Sequence, residues 1–131
     1  DEAVVHRTKP GTIADKKWHH VIATWDGKTK RVFVDGEEKG AWPFAGPLLP
    51  GPHPLRLGAM SQAGLANHFL DGDLAMPAIY SRAQSVEEVR ERFSQQAQKP
   101  ARGKDVLACW PLAEERGDRR VRLNGDYLVA D

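Results

Sequence analysis

The chain has 131 residues, 40% hydrophobic and 28% charged, with 19 Lys and Arg against 18 Asp and Glu. That is the length and composition of one folded domain with a modest core, and it excludes a disordered chain. A net charge of +1 removes the electrostatic case for nucleic acid or an anionic membrane as partner, and no apolar run approaches the roughly 20 residues of a membrane-spanning helix.

The first fifteen residues are mixed, apart from the turn-prone Lys9-Pro10-Gly11. Trp18-His19-His20-Val21-Ile22-Ala23-Thr24-Trp25 is rich in aromatic and β-branched residues and predicts a strand. Asp26-Gly27-Lys28-Thr29 supplies a turn, Lys30-Arg31-Val32-Phe33-Val34 alternates as a half-buried strand does, and Asp35-Gly36 turns again into Glu37-Glu38-Lys39. Two Asp-Gly turns flanking an alternating strand predict an antiparallel meander, with Val32 and Val34 on one face and Phe33 on the other. Residues 42–54 carry five prolines, so they are expected to be an extended connection outside any strand or helix.

Leu55 to Ala59 reads as a short strand, Ser61 to Asn67 as a loop of small residues, and His68 to Tyr80 as a longer strand broken by Asp71-Gly72-Asp73. Ser85-Val86-Glu87-Glu88 matches a capping box, and Val86, Val89 and Phe93 recur at helical spacing, so one short helix is expected to lie on a sheet until Lys99-Pro100 stops it. Val106 to Trp110 is nearly all apolar and predicts a strand buried on both faces. A charged stretch from Glu114 to Arg122 follows, then Asn124-Gly125 and a last apolar strand at Tyr127-Leu128-Val129.

The single cysteine, Cys109, permits no internal disulfide and is expected to be a small buried hydrophobe. A lone thiol leans towards a reducing, cytoplasmic setting and otherwise leaves localisation open. The chain begins at Asp1 without an initiator methionine or a secretory signal, so a processed product, a trimmed piece or an internal fragment is expected.

Two stretches carry a resemblance. Trp18-His19-His20-Val21-Ile22-Ala23-Thr24-Trp25-Asp26-Gly27 with Arg31-Val32-Phe33-Val34-Asp35-Gly36 resembles the Trp-His-His hairpin of laminin G-like, concanavalin A-like jelly rolls. Phe69-Leu70-Asp71-Gly72-Asp73-Leu74, then Ile79-Tyr80-Ser81-Arg82-Ala83 and the helix from Ser85 to Phe93, resembles the later part of the same family's pattern. The resemblance spans residues 18–93 and implies an all-β, antiparallel jelly-roll β-sandwich with one short α-helix, with residues 1–131 expected to be a single domain corresponding to the C-terminal half of such a sandwich. Only seventeen residues precede the hairpin where the family has several strands, so the sandwich is expected to be incomplete. Another polypeptide or an upstream segment is then expected to complete it. Leu107 to Glu114 resembles the opening of a further sandwich or a closing strand, which makes residues 99–131 a candidate start of a following element. A looser likeness links the order of elements to the lectin-like segment in the large chain of N,N-dimethylformamidase-type amide hydrolases.

The candidate sites are few. Adjacent His19 and His20 face opposite sides of a strand and cannot share a metal, so one is expected to pack in the sheet and the other to face solvent. His6, His53 and His68 show no zinc spacing. Asp71 and Asp73 are weak candidates for Ca²⁺, since two carboxylates fall short of the six to eight oxygens that ion takes. Glu87 and Glu88 suit a helix N-terminus, and Glu114 and Glu115 a solvated surface. No phosphate loop, nucleophile elbow or carboxylate pair points to catalysis within the chain, and no cofactor is expected. Trp42 and Phe44, with His53, are the candidate contacts for a glycan or a protein, the alternative being that the two aromatics fold back over the sandwich. The functional expectation is a non-catalytic recognition or accessory module within a larger protein or complex; the alternative is a segment of a larger hydrolase whose catalytic residues lie elsewhere.

Overall fold

The computed structural model describes residues 6–47, 55–62, 65–95, 99–110, 115–116 and 119–120. Their strands form four small sheets, all antiparallel, and one short helix accompanies them. None of the helices among the described residues is long and apolar enough to cross a membrane.

The predicted meander is the largest sheet: β1 (Val21–Trp25), β2 (Thr29–Val34) and β3 (Glu37–Pro43), in that order. The turn between β2 and β3 has positive φ at both central residues, 53° at Asp35 and 78° at Gly36. That is the type I′ geometry whose twist matches a two-residue hairpin. Gly27, in the first Asp-Gly turn, also takes a positive φ, 90°. The first strand begins at Val21, later than Trp18, because His19 and His20 turn their polar groups to Asp15 and Asp35. The third strand runs further than the sequence implied and takes in Trp42 and Pro43. Proline is tolerated there because β3 is an edge strand, where a missing donor breaks no central ladder.

Between residues 55 and 80 the strands lie elsewhere than expected. Leu55 to Ala59 is not a strand; Gly58 sits at φ 75°, incompatible with extension. The small-residue stretch instead supplies β4 (Met60–Gln62) and β5 (Leu65–Asn67), paired with Gln62 opposite Leu65. The long strand predicted from His68 is confined to β6 (Ala78–Tyr80), since His68 and Met76 take φ values of 49° and 51° that interrupt extended backbone. Its partner is β7 (Val106–Cys109), and the pairing is extended by Trp110 N–H donating to Pro77 C=O at 2.9 Å. This strand is not covered on both faces: Cys109 is buried as expected, whereas Leu107 is 59% exposed. In the charged stretch, β8 (Glu115–Arg116) pairs with β9 (Arg119–Arg120). The expected strand at residues 127–129 lies outside the described residues.

Helix α1 (Val86–Ser94) has its capping box: Ser85 Oγ accepts from Glu88 N–H and Glu88 returns a carboxylate to Ser85 N–H at 2.7 Å. It ends on Gln95, short of the Lys99-Pro100 stop. Val89 is fully buried, and Phe93 lies against the Gly36 turn and stacks on His20 at 6.2 Å. The buried apolar core of the described residues is Phe33, Val34, Val89, Ala101 and Cys109. Phe33 and Val34 are neighbours on one strand, so both faces of the meander are covered at its Asp35-Gly36 end.

Candidate functional site

The site is built by strand register. The first hairpin places Trp25 opposite Lys30, and directly opposed residues share a face. The second would set Trp42 opposite Thr29 if pairing continued evenly from Val34 and Glu37. It does not, because Phe33 faces Glu38 while Val32 faces Gly40, which leaves Lys39 as one extra residue on β3. This β-bulge shifts the rest of β3 by one position and reverses which face each residue occupies. Trp42 therefore lands opposite Lys30, on the same face as Trp25.

Phe44, two residues on, joins them. Its ring meets Trp25 edge-on at 6.3 Å, and the Lys30 ammonium lies 3.6 Å from its centroid. Trp25 Nε1–H donates to Phe44 C=O at 2.9 Å, and Phe44 N–H donates to Lys28 C=O at 2.6 Å, which fixes the backbone beyond β3. The neighbouring turn is held by Asp26, whose Oδ1 accepts from Lys28 and Thr29 N–H at 2.9 and 2.8 Å. Arg31, with these two amides, lowers the Asp26 carboxyl to about 2, so it stays ionised at neutral pH. The indole of Trp42 lies over Gly40, where any Cβ would collide with it, and His6 stacks on that indole at 5.2 Å and 26°. Two aromatic pairs, with a cation between them, thus share one sheet face.

Beside this row is an open groove of about 430 Å³, lined by residues 6–14 and floored by Val32. The Lys9-Pro10-Gly11-Thr12 turn shapes it. Gly11 takes φ 81°, as a type II turn requires at that position, and Lys9 C=O accepts from both Thr12 N–H and Thr12 Oγ1.

A second polar constellation anchors the segment that follows. His19 Nδ1 lies 2.7 Å from Asp35 Oδ2 and His19 Nε2 lies 2.8 Å from Asp15 Oδ1, with the side chain 15% exposed. Hydrogen bonds to Asp15 first and Asp35 second raise the imidazole above its ordinary value, favouring an imidazolium that donates at both nitrogens. Burial works against the Asp35 charge, but hydrogen bonds from His19 and from His20 N–H outweigh it and its carboxyl is lowered. The neighbouring His20 is pushed down, chiefly by burial and then by Arg92. Neither histidine simply faces solvent, in contrast to the expectation: His19 is held by Asp15 and Asp35, and His20 stacks on Phe93. Both ring nitrogens of His19 are engaged by carboxylates, so the ring serves as a tether between Asp15 and the Asp35 turn.

Of the residues singled out in the sequence, Trp42 and Phe44 come together; Trp42 does so from within β3 rather than from the proline-rich connection. His53 lies outside the described residues. Asp71 and Asp73 are exposed in irregular backbone, and no cluster of three or more His, Cys, Asp or Glu suited to a metal occurs among the described residues. Trp25 and Lys30 were not singled out, and His6 was weighed only as a zinc ligand. Pairing across the Asp26-Gly27 turn was the available signal for Trp25 and Lys30; nothing local pointed to His6.

Residues 2–90 match the family model of the concanavalin A-like lectin/glucanase superfamily. The chain belongs to that superfamily, and its antiparallel sheets with one short helix agree with a partial β-sandwich of that type. No curated protein and no solved structure gives a significant match. The looser likeness to amide hydrolases of the N,N-dimethylformamidase type gains no support from these comparisons.

Proposed function

From this membership we propose that the chain is a non-catalytic recognition module that binds a carbohydrate on the face of β1, β2 and β3. The observation that carries the reading is the row of Trp25, Lys30, Trp42 and Phe44, brought to one face by a bulge that re-aims Trp42. Rigid aromatic rings give a sugar's apolar C–H face a large contact at small entropic cost, and an adjacent ammonium donates to its hydroxyls. A cross-strand platform also holds this geometry without ligand, which lowers the cost of binding.

The same reading makes the module one part of a larger assembly. Leu57, Met60, Leu65, Phe69 and Leu70 are each at least 45% exposed in and around the β4–β5 hairpin, and Val21 on the outer edge strand is 51% exposed. Apolar exposure of this kind beside strand edges that are unpaired among the described residues supports completion of the sandwich by another polypeptide or an upstream segment.

The test is glycan binding by the intact chain, followed by calorimetry on Trp42→Ala and Phe44→Ala. Each truncation is expected to weaken binding about tenfold, the size of one aromatic contact, with the circular dichroism spectrum unchanged. Full affinity in both variants would show that the ligand lies elsewhere.

A further inference from the structure

We propose that the groove over Val32 receives the acidic group of the bound saccharide, a carboxylate or a sulfate, while its sugar ring lies on the adjoining aromatic row. This rests on the carbohydrate reading above and adds a substrate class to it. Arg7 and Lys9 both line the groove, both are exposed, and neither is ion-paired among the described residues. No carboxylate stands among the described residues lining it. The nearest one along the chain, Asp15, is occupied by His19 and by Lys17, whose ammonium lies 3.6 Å away. In a chain whose net charge is +1, such a one-sided lining is a local feature, and a concave surface of one sign concentrates ions of the other.

The groove and the row share a residue. His6 lines the groove and stacks on Trp42, and its Nε2 is closed off from water without a hydrogen-bond partner. A buried nitrogen left in that state is unfavourable, and in the tautomer that carries its proton at Nε2 the ring would donate to an anionic oxygen brought against it. The Arg7 guanidinium adds a planar fork that matches the oxygens of a carboxylate or sulfate. The type II turn at Pro10-Gly11 holds this lining in shape before any ligand arrives.

Two measurements on the intact chain separate this proposal from the one beneath it. Glucuronate and inorganic sulfate are titrated separately into isotope-labelled protein at low salt. Amide shifts are expected within residues 6–14, weakened at high salt and lost in the Arg7→Ala, Lys9→Ala double variant. Absence of shifts there with both anions overturns the groove assignment, and the stronger of the two responses identifies the anion. Calorimetry then compares a neutral glucan hexamer with its uronate and sulfated counterparts. The acidic forms are expected to bind about tenfold tighter, an advantage that the double variant removes. Equal affinity for neutral and acidic hexamers overturns the proposal while leaving the carbohydrate reading intact. Glucuronate shifts without binding of any hexamer would instead remove the carbohydrate reading and retain the groove as an anion site.

Discussion

Substituting Gly36 tests whether the helix is seated on the second hairpin turn. Gly36 has φ 78°, and a Cβ there would stand 3.2 Å from Phe93 Cδ1 and 3.6 Å from Arg90 Cγ. Gly27 is the natural control, because it has φ 90° and nothing within 4 Å of its would-be Cβ. An alanine in left-handed backbone costs about 1–2 kcal/mol, of which roughly 0.4–1 kcal/mol is offset by the stiffer unfolded chain. Gly27→Ala is therefore expected to lose about 1 kcal/mol. Gly36→Ala carries the same backbone cost plus a contact shorter than the optimal carbon separation of about 3.5–4 Å. Phe93 is 39% exposed and can give way in part, so the added cost is about 1 kcal/mol, the low end for an overpacked site. Urea denaturation reads the difference: with a slope near 2 kcal/mol/M, the midpoint falls by about 0.5 M for Gly27→Ala and about 1 M for Gly36→Ala. Repeating Gly36→Ala in a Phe93→Ala background should reduce its cost to that of Gly27→Ala, the signature of a pairwise contact. Equal costs for the two glycines in the parent chain would refute the seating of α1 on the turn. No loss in either would refute the turn geometry itself.

Further outcomes are expected at His19 and at the helix cap. The His19 imidazole should titrate above 6.5 by NMR, and Asp15→Asn should return it towards that value by removing its strongest partner. Because its folded value is raised, the stability contributed by His19 is complete below 6.5 and lost as pH climbs through the raised value. The contributions of Asp15 and Asp35, whose values are lowered from 3.8, are complete above that value and fade as pH falls below it; a urea midpoint flat from about pH 2 to 9 would contradict both. At the helix, Ser85→Ala should cost about 1 kcal/mol by removing the cap, and the Glu88 carboxyl, lowered to about 2 by Arg82 first and Ser85 N–H second, should rise towards its usual range once Arg82 is replaced by Met.

Local chemistry settled several features in advance. The two Asp-Gly turns, the alternation of β2 and the Ser85–Glu88 cap each depend on residues within a few positions of one another, so composition and spacing suffice to read them. The same cannot be said of residues 55–80. There a run of small and mixed residues is compatible with loop or strand, and positive φ at Gly58, His68 and Met76, which no residue pattern announced, decided where the strands stop.

The fold class and the superfamily were thus legible from the hairpin and helix motifs alone, because each motif contains its own turn or cap. The composition of the candidate site was not. Trp42 and Phe44 are visible as aromatics beside prolines, but the face they occupy depends on one unpaired residue, Lys39, in the pairing of β2 with β3. Side chains alternate with a period of two, so a single added residue moves every later side chain to the opposite face. Pairing brought Trp25 and Lys30 to Trp42, and His6 reached the indole from residues outside the sheet. Such contacts between residues distant in sequence leave no periodic trace in the chain, and only the tertiary structure decides them.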